Sequence, residues 1–160
     1  MHQEDLMERV LDALASMSAR VLVLTGDEFD PAELPPRRDV RVERYIPHES
    51  VFPHARLVLS HGGMGTLLEC LRAGVPSVCI PLGRDQHDNA HAASSLNATI
   101  AIKAGATTAE LAAAIDEALH SPTIHAGVLA MAQTLADYGG AATAADEIEQ
   151  LCDQSAAALW

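Results

Sequence analysis

The sequence predicts an α/β fold in which a Rossmann-like parallel sheet carries helices on both faces. Short aliphatic segments without polar alternation, such as residues 21–24, are typical of strands that are buried on both sides. In residues 6–17, apolar side chains recur at helical spacing, which predicts an amphipathic helix. The same two patterns alternate along the rest of the chain, and strands that alternate with helices indicate a parallel sheet.

The predicted elements follow one another in a regular order. The strand at residues 21–24 is followed by a polar, proline-containing loop at residues 26–36. Further strands are predicted at residues 40–45, 56–60, 77–80 and 99–102, and further helices at residues 65–73, 89–96, 107–120, 122–138 and 142–152. Two helix starts have recognisable caps, because residues 107–110 form a capping box and residues 121–122 place a serine before a proline.

Composition limits the class of partner and the compartment. The chain has 160 residues, enough for one domain, which we expect over residues 1–153 with a frayed tail at 154–160. Ten basic against 22 acidic residues give a net charge of −12, which argues against nucleic acid and anionic membranes as partners. No apolar segment approaches the roughly 20 residues of a membrane span. The three cysteines lack a metal or disulfide spacing, so we expect buried thiols in a cytoplasmic protein.

The most informative segment is residues 57–69, where an aliphatic strand leads through His61 and a glycine-rich turn into a helix. Gly62, Gly63 and Gly65 allow the backbone to approach a ligand closely, and the first N–H groups of a helix lack intrahelical partners. This combination predicts a phosphate site with the imidazole as an additional donor, although glycines at such a turn also serve the turn alone. No Gly-Lys-Ser/Thr follows, which excludes a nucleoside-triphosphate loop, and the dinucleotide fingerprint lacks its third glycine.

Glu69 lies one turn into the same predicted helix. Its spacing from Gly65 and Thr66 places it on the same face as the glycine-rich turn, where a carboxylate can bind the hydroxyls of a ribose. An ion pair with Arg72 explains the same spacing equally well.

Asp85 and Gln86 follow the predicted strand at residues 77–80, at the carboxyl edge where open α/β sheets bind ligands. A carboxylate beside an amide can accept from and donate to several sugar hydroxyls. The alternative is a cap for the helix that begins just after them. His87 and His91 have a spacing seen in metal sites, but no third ligand is evident, so we expect no metal.

Taken together, these segments resemble the carboxy-terminal, donor-binding domain of GT-B glycosyltransferases. The likeness is greatest to bacterial enzymes that glycosylate macrolides and other natural products, within the UDP-glycosyltransferase superfamily. It rests on an ordered set of motifs, namely Tyr45-Ile46-Pro47-His48, residues 60–66, Glu69, Gly74-Val75-Pro76, Pro81, Asp85-Gln86 and Asn89-Ala90. It continues through residues 108–151 and so covers nearly the whole chain.

The resemblance implies transfer of a hexose from a UDP- or dTDP-sugar to a hydroxyl acceptor. The nucleotide sugar is a substrate, and no metal or cofactor is implied. In the implied donor site, the nucleotide base is bound by Tyr45, Ile46 and His48, and the ribose by Glu69. The diphosphate is bound by His61, Gly63, Met64, Gly65 and Thr66. The sugar is bound by Asp85 and Gln86. No residue of the chain is a convincing catalytic base for the acceptor.

Two parts of the family are missing from the sequence. One is the amino-terminal domain, which binds the acceptor and supplies the base. The other is the first strand of the donor domain, which the family places between residues 21–24 and 56–60 and without which two inner strands have exposed edges. We expect either that the sheet rearranges to close this gap or that a partner fills it. The partner would be a separate acceptor-binding chain or a second copy of this chain.

Two other function classes remain open from the sequence. The chain can be a non-catalytic nucleotide-sugar-binding module or the remnant of a truncated gene, since it lacks a base. A nucleotide-sugar epimerase on the same fold would need additional acidic or histidine groups from a second domain.

Overall fold

The computed structural model describes residues 3–27 and 30–157. Within them the helices and strands are, in chain order, α1 (Gln3–Ala15), β1 (Val21–Leu24), β2 (Val40–Glu43), α2 (His48–Val51), β3 (Val58–Ser60), α3 (Met64–Arg72), β4 (Ser77–Cys79), α4 (Gln86–Ser95), β5 (Ile100–Ala101), α5 (Thr108–His120), α6 (Pro122–Ala136) and α7 (Gly140–Ala157). Short 3₁₀ turns occur at Pro31–Glu33 and Phe52–His54. The α/β fold with parallel strands and flanking helices is confirmed.

The strands form two parallel sheets, one of β1 and β2 and the other of β3, β4 and β5 in that order. Val21 stands opposite Val40 in the first sheet, and Val58 stands opposite Ser77 in the second. Among the described residues, β1 and β3 do not pair with each other. The first of our two expectations, a rearranged sheet with continuous pairing across the gap, is therefore wrong. Each of these two strands pairs on its other side, β1 with β2 and β3 with β4.

Two apolar cores lie on opposite faces of β4, because successive side chains of a strand point to opposite sides. Val78 and Ile80 face a cluster that includes Ala13 of α1 and Leu111 and Ile115 of α5. Cys79 faces the second cluster, which α3, α4 and α6 build from Leu67, Leu71, Ala90, Ala93, Ile124 and Val128. Helices thus cover both faces of the three-stranded sheet, as predicted.

The caps that the sequence predicts on α5 and α6 are formed. Thr107 Oγ1 accepts from the Glu110 N–H at 3.2 Å, and Glu110 Oε2 accepts from the Thr107 N–H at 2.7 Å, which completes the capping box. Ser121 Oγ accepts from the Ile124 N–H, with Pro122 at the first helical position. The Thr107 N–H and the Thr107 hydroxyl both donate to Glu110 Oε2, at 2.7 and 3.0 Å, and these two hydrogen bonds lower the pKa of the Glu110 carboxyl.

Several boundaries differ from the sequence prediction. Helix α4 begins at Gln86, three residues before the predicted start at 89, because Gln86 Oε1 closes the preceding loop by accepting from the N–H groups of Leu82 and Gly83. Helix α2 was not predicted, since a four-residue helix has no periodicity to detect. Helix α7 continues through part of the expected frayed tail, to Ala157, and residues 158–160 lie outside the described residues.

Candidate functional site

The amino terminus of α3 opens toward solvent at the carboxyl end of β3. Gly63 occupies the N-cap position, and no side chain caps the helix. Met64 and Gly65 are exposed, and a methyl group added to Gly65 would contact nothing within 4 Å. The first N–H groups of α3 are therefore available to an anion, which the helix dipole also favours.

His61 lies directly over this helix terminus. A side chain in place of the Gly63 hydrogen would put its first carbon 2.6 Å from His61 Nε2, so any other residue would require the imidazole to move. The ring is exposed to solvent. The structure thus brings His61 together with the turn that begins α3, as the sequence predicts.

The glycine-rich turn also packs against the start of α4. Gly62 has φ +80°, is buried, and would place a side-chain carbon 3.4 Å from the Gln86 carbonyl oxygen. Asn89 Nδ2 donates to the Gly62 carbonyl at 3.2 Å and to Asp85 Oδ2 at 2.9 Å. His61 and Asp85 therefore belong to one polar edge, which the position of both loops at the carboxyl ends of parallel strands predicts.

Asn89 is a residue that the motif reasoning did not assign to the site. It is only 8% exposed, and its amide nitrogen joins two loops that are distant in sequence. The signal that could have revealed it is its spacing of four residues from Asp85, which on a helix brings two side chains together. That signal was hidden because the predicted helix started at 89 rather than at Gln86.

The two residues of the expected sugar-binding pair have different surroundings. Asp85 occupies the N-cap position of α4, yet its side chain makes no cap hydrogen bond, so the alternative explanation as a helix cap is wrong. Its exposed carboxylate accepts from Asn89 instead. The Gln86 amide oxygen is engaged by Leu82 and Gly83, which leaves its Nε2 group as the donor that a sugar could use.

Glu69 pairs with His48 rather than with Arg72. His48 Nδ1 lies 2.6 Å from Glu69 Oε2, and the imidazole stacks on the buried Phe52 ring with 4.6 Å between ring centroids. The Glu69 side chain is still 47% exposed. Its carboxylate can therefore accept from a ligand while one oxygen is held by the imidazole.

Tyr45 and Ile46 precede this pair on the chain. The Tyr45 ring is 74% exposed, and Ile46 is partly buried. Among the hydrogen bonds, ion pairs and ring contacts of the described residues, none joins Tyr45 to His61 or Glu69. An exposed aromatic face of this kind is able to stack on a planar base.

The structure also bears on the metal, membrane and cysteine expectations. Within residues 3–27 and 30–157, no three His, Cys, Asp or Glu side chains are grouped to hold a metal ion, and no helix is long and apolar enough to cross a membrane.

Cys70 and Cys79 are buried free thiols, and burial is the main cause that raises the pKa of Cys70 to about 12. Cys152 is exposed, so the expectation that all three thiols are buried is wrong. It lies on α7, which is exposed wherever its side chains are described.

The chain is similar to known proteins over most of its length. The sequence model of the Glycosyltransferase family 28 C-terminal domain matches residues 2–145. Demethyllactenocin mycarosyltransferase from Streptomyces fradiae is 30% identical over 148 residues, which are 91% of this chain and 32% of that protein. NDP-glycosyltransferase YjiC from Bacillus subtilis (strain 168) is 29% identical over 148 residues, 91% of this chain and 38% of that protein. The crystal structure of CalG4, the calicheamicin glycosyltransferase, superposes with a TM-score of 0.87 at 28% identity, over 95% of this chain and 40% of that one. The chain thus spans well under half the length of these relatives.

Proposed function

The chain belongs to the Glycosyltransferase family 28 C-terminal domain family, and from this premise we propose that it binds a nucleoside-diphosphate sugar as the donor half of a glycosyltransferase. The observation on which the proposal depends is the uncapped start of α3 beneath His61, joined through Gly62 to Asp85. The N–H groups at the start of α3 and the His61 imidazole fit a diphosphate, and the nearby Asp85 carboxylate fits sugar hydroxyls. The similarity to NDP-glycosyltransferase YjiC and to demethyllactenocin mycarosyltransferase supports the same proposal.

In this proposal the ligand lies across both loops. The diphosphate binds the amides of Gly63, Met64, Gly65 and Thr66 together with the His61 imidazole. Asp85 and the Gln86 Nε2 group bind the sugar. The ribose hydroxyls reach Glu69, beside His48, and the base stacks near Tyr45 and Ile46. UDP- and dTDP-sugars are both compatible with these contacts.

The chemistry that these residues supply is stabilisation of the leaving group. As the bond between the anomeric carbon and the diphosphate oxygen breaks, negative charge grows on that oxygen. Prealigned N–H groups at a helix terminus stabilise such charge without having to reorganise. The base that removes the acceptor proton belongs, in this proposal, to an acceptor-binding domain or a separate chain. A hydroxyl of a natural product is the acceptor.

We also propose that an apolar strand from such a partner occupies the gap between β1 and β3. The Val21 N–H donates to the Asp39 carbonyl, just before β2, and the Val58 N–H donates to the Pro76 carbonyl, just before β4. In a parallel strand, neighbouring residues point to opposite edges, so Leu22, Leu24 and Leu59 direct their backbone groups to the unpaired edges. A strand running parallel to both would satisfy those groups. The buried free thiols Cys70 and Cys79 support a cytoplasmic location, where thiols remain reduced.

Calorimetric titration of the chain with UDP, dTDP and their glucose derivatives tests the donor site. We expect binding that His61→Ala weakens, by about tenfold for a lost hydrogen bond to a charged group. His87→Ala removes an exposed imidazole of α4 outside the proposed contacts, and it should leave the affinity unchanged. Absence of binding at millimolar ligand, or equal losses in both variants, would contradict the proposal.

A non-catalytic nucleotide-sugar-binding module is the second candidate. It is favoured by the sequence, which offers no convincing catalytic base for the acceptor. Such a module would pass the same binding test. Adding a separately produced acceptor-binding domain would then release no nucleoside diphosphate from the sugar donor.

A further inference from the structure

We propose that Asn89 is a positioning residue, which holds the sugar-binding carboxylate of Asp85 at a fixed place relative to the diphosphate-binding turn. This inference rests on the proposed function. It follows from one buried amide group, whose nitrogen donates to the Gly62 carbonyl at 3.2 Å and to Asp85 Oδ2 at 2.9 Å.

The chemistry of a primary amide suits this role. Its nitrogen has two N–H groups, so one can serve each acceptor. The two acceptors lie on different elements, because Gly62 belongs to the turn before α3 and Asp85 is the N-cap residue of α4. Asn89 is only 8% exposed, so water competes little for its N–H groups.

Asp85 depends on Asn89 more than the turn does. The turn has two further supports, since the Gly62 N–H donates to Ser60 Oγ at 3.2 Å and Gly62 packs against the Gln86 carbonyl oxygen. The Asp85 side chain is exposed and does not cap α4, and within the described part of the chain its one hydrogen bond is to Asn89. Loss of Asn89 should therefore release the carboxylate while the phosphate-binding turn persists.

The test compares the affinity of the 160-residue chain for UDP with its affinity for UDP-glucose, and likewise for the dTDP pair. The ratio of the two dissociation constants isolates the contribution of the sugar. We expect Asn89→Ala to change this ratio by about tenfold, as one charge-assisted hydrogen bond would. Asp85→Ala should change it by the same factor, and the double variant should add nothing further.

Matched controls separate positioning from a general loss of stability. Thr99→Val removes another buried polar group, whose hydroxyl bonds to Ser77, and it should lower stability without changing the ratio. If Asn89→Ala does not fold, Asn89→Leu keeps the approximate size of the side chain but removes both N–H groups without adding a charge, and the same change of ratio is expected.

The outcomes also separate this inference from the proposed function. If the unchanged chain binds neither ligand, the proposed function is wrong and the inference falls with it. If the ratio responds to Asp85→Ala but not to the Asn89 variants, only the positioning role is overturned. Additive effects of Asn89→Ala and Asp85→Ala would overturn it as well, because residues that act as one unit are not additive.

Discussion

The imidazole of His48 holds the carboxylate of Glu69, with 2.6 Å between Nδ1 and Oε2, although 21 residues separate them in sequence. His48 is the first residue of α2, and its ring is fixed by stacking on buried Phe52 at an interplanar angle of 10°. The Phe52 ring thus orients the imidazole, and the imidazole in turn orients the Glu69 carboxylate. His48 therefore lies next to Glu69, the residue proposed to bind the ribose, as well as being expected near the nucleotide base.

The first prediction concerns this pair. His48→Ala should weaken UDP binding by up to about fivefold, the range of a partly exposed ion pair, because the Glu69 carboxylate loses its orientation. Binding of 2′,3′-dideoxyuridine diphosphate, which lacks both ribose hydroxyls, should change less. Titration calorimetry measures both affinities. His54→Ala removes an exposed imidazole from the adjoining turn and should affect neither ligand. Equal losses for the two ligands in His48→Ala would show that the pair does not act on the ribose.

A second prediction concerns the approach of α6 to the loop after α4. A side-chain carbon on Gly127 would overlap the Asn97 carbonyl oxygen and would lie 2.7 Å from that of Leu96. Both are backbone atoms and cannot turn aside. Gly127→Ala should therefore lower the free energy of unfolding by about 1–3 kcal/mol or more, as overpacking does. Urea denaturation measures the change.

Gly65→Ala is the matched control for that substitution. It is also a helical glycine, but a methyl group there would contact nothing within 4 Å. Gly65 is the second residue of α3, so we expect a gain in stability of at most the roughly 0.5–1 kcal/mol that alanine gives in a helix interior. Similar effects of the two substitutions would contradict the close approach of α6 to residues 96–97.

The third prediction is a pH dependence from the capping box of α5. Hydrogen bonds donated by Thr107 lower the pKa of Glu110 in the folded chain relative to the unfolded one. Its contribution is therefore complete above the unfolded pKa, near 4.5, and is lost as the pH falls through the lower folded value. Glu110→Gln should lose less stability than the unchanged chain between pH 6 and pH 3, as measured by urea denaturation.

Glu117→Gln provides the control for the capping box. Glu117 is exposed near the other end of the same helix and takes no part in the cap. We expect its acid response to match that of the unchanged chain. An acid response of Glu110→Gln equal to that of Glu117→Gln would contradict the assignment.

The features predicted correctly from the sequence are those with local causes. The capping box at Thr107 and Glu110 and the cap at Ser121 depend on residues three positions apart, so the pattern itself contains the interaction. The turn at Gly62 and Gly63 was predicted for the same reason. Its position beside Asp85 followed from the geometry of parallel strands.

The features that were missed depend on contacts between distant segments. Nothing in local spacing links His48 to Glu69 across 21 residues, and spacing alone left Arg72 as an equal partner. The start of α4 was misplaced because Gln86 bonds the loop behind it, which is a side-chain contact without a periodic signal. The exposure of Cys152 could not be read from composition, since an apolar helix face does not indicate what covers it.

The last prediction concerns the unpaired edges of β1 and β3. In the chain alone, the amide protons of Leu22, Leu24 and Leu59 should exchange rapidly with solvent, because no strand of the described residues pairs with these edges. The N–H groups of Val21 and Val58 donate to the carbonyl oxygens of Asp39 and Pro76, just before β2 and β4, and should exchange slowly, which provides an internal control. Hydrogen exchange followed by nuclear magnetic resonance resolves each proton. Addition of an acceptor-binding partner that contributes a strand should protect the three leucine amides selectively. Protection of those amides in the monomeric chain alone would mean that the sheet is already closed and that no partner strand is required.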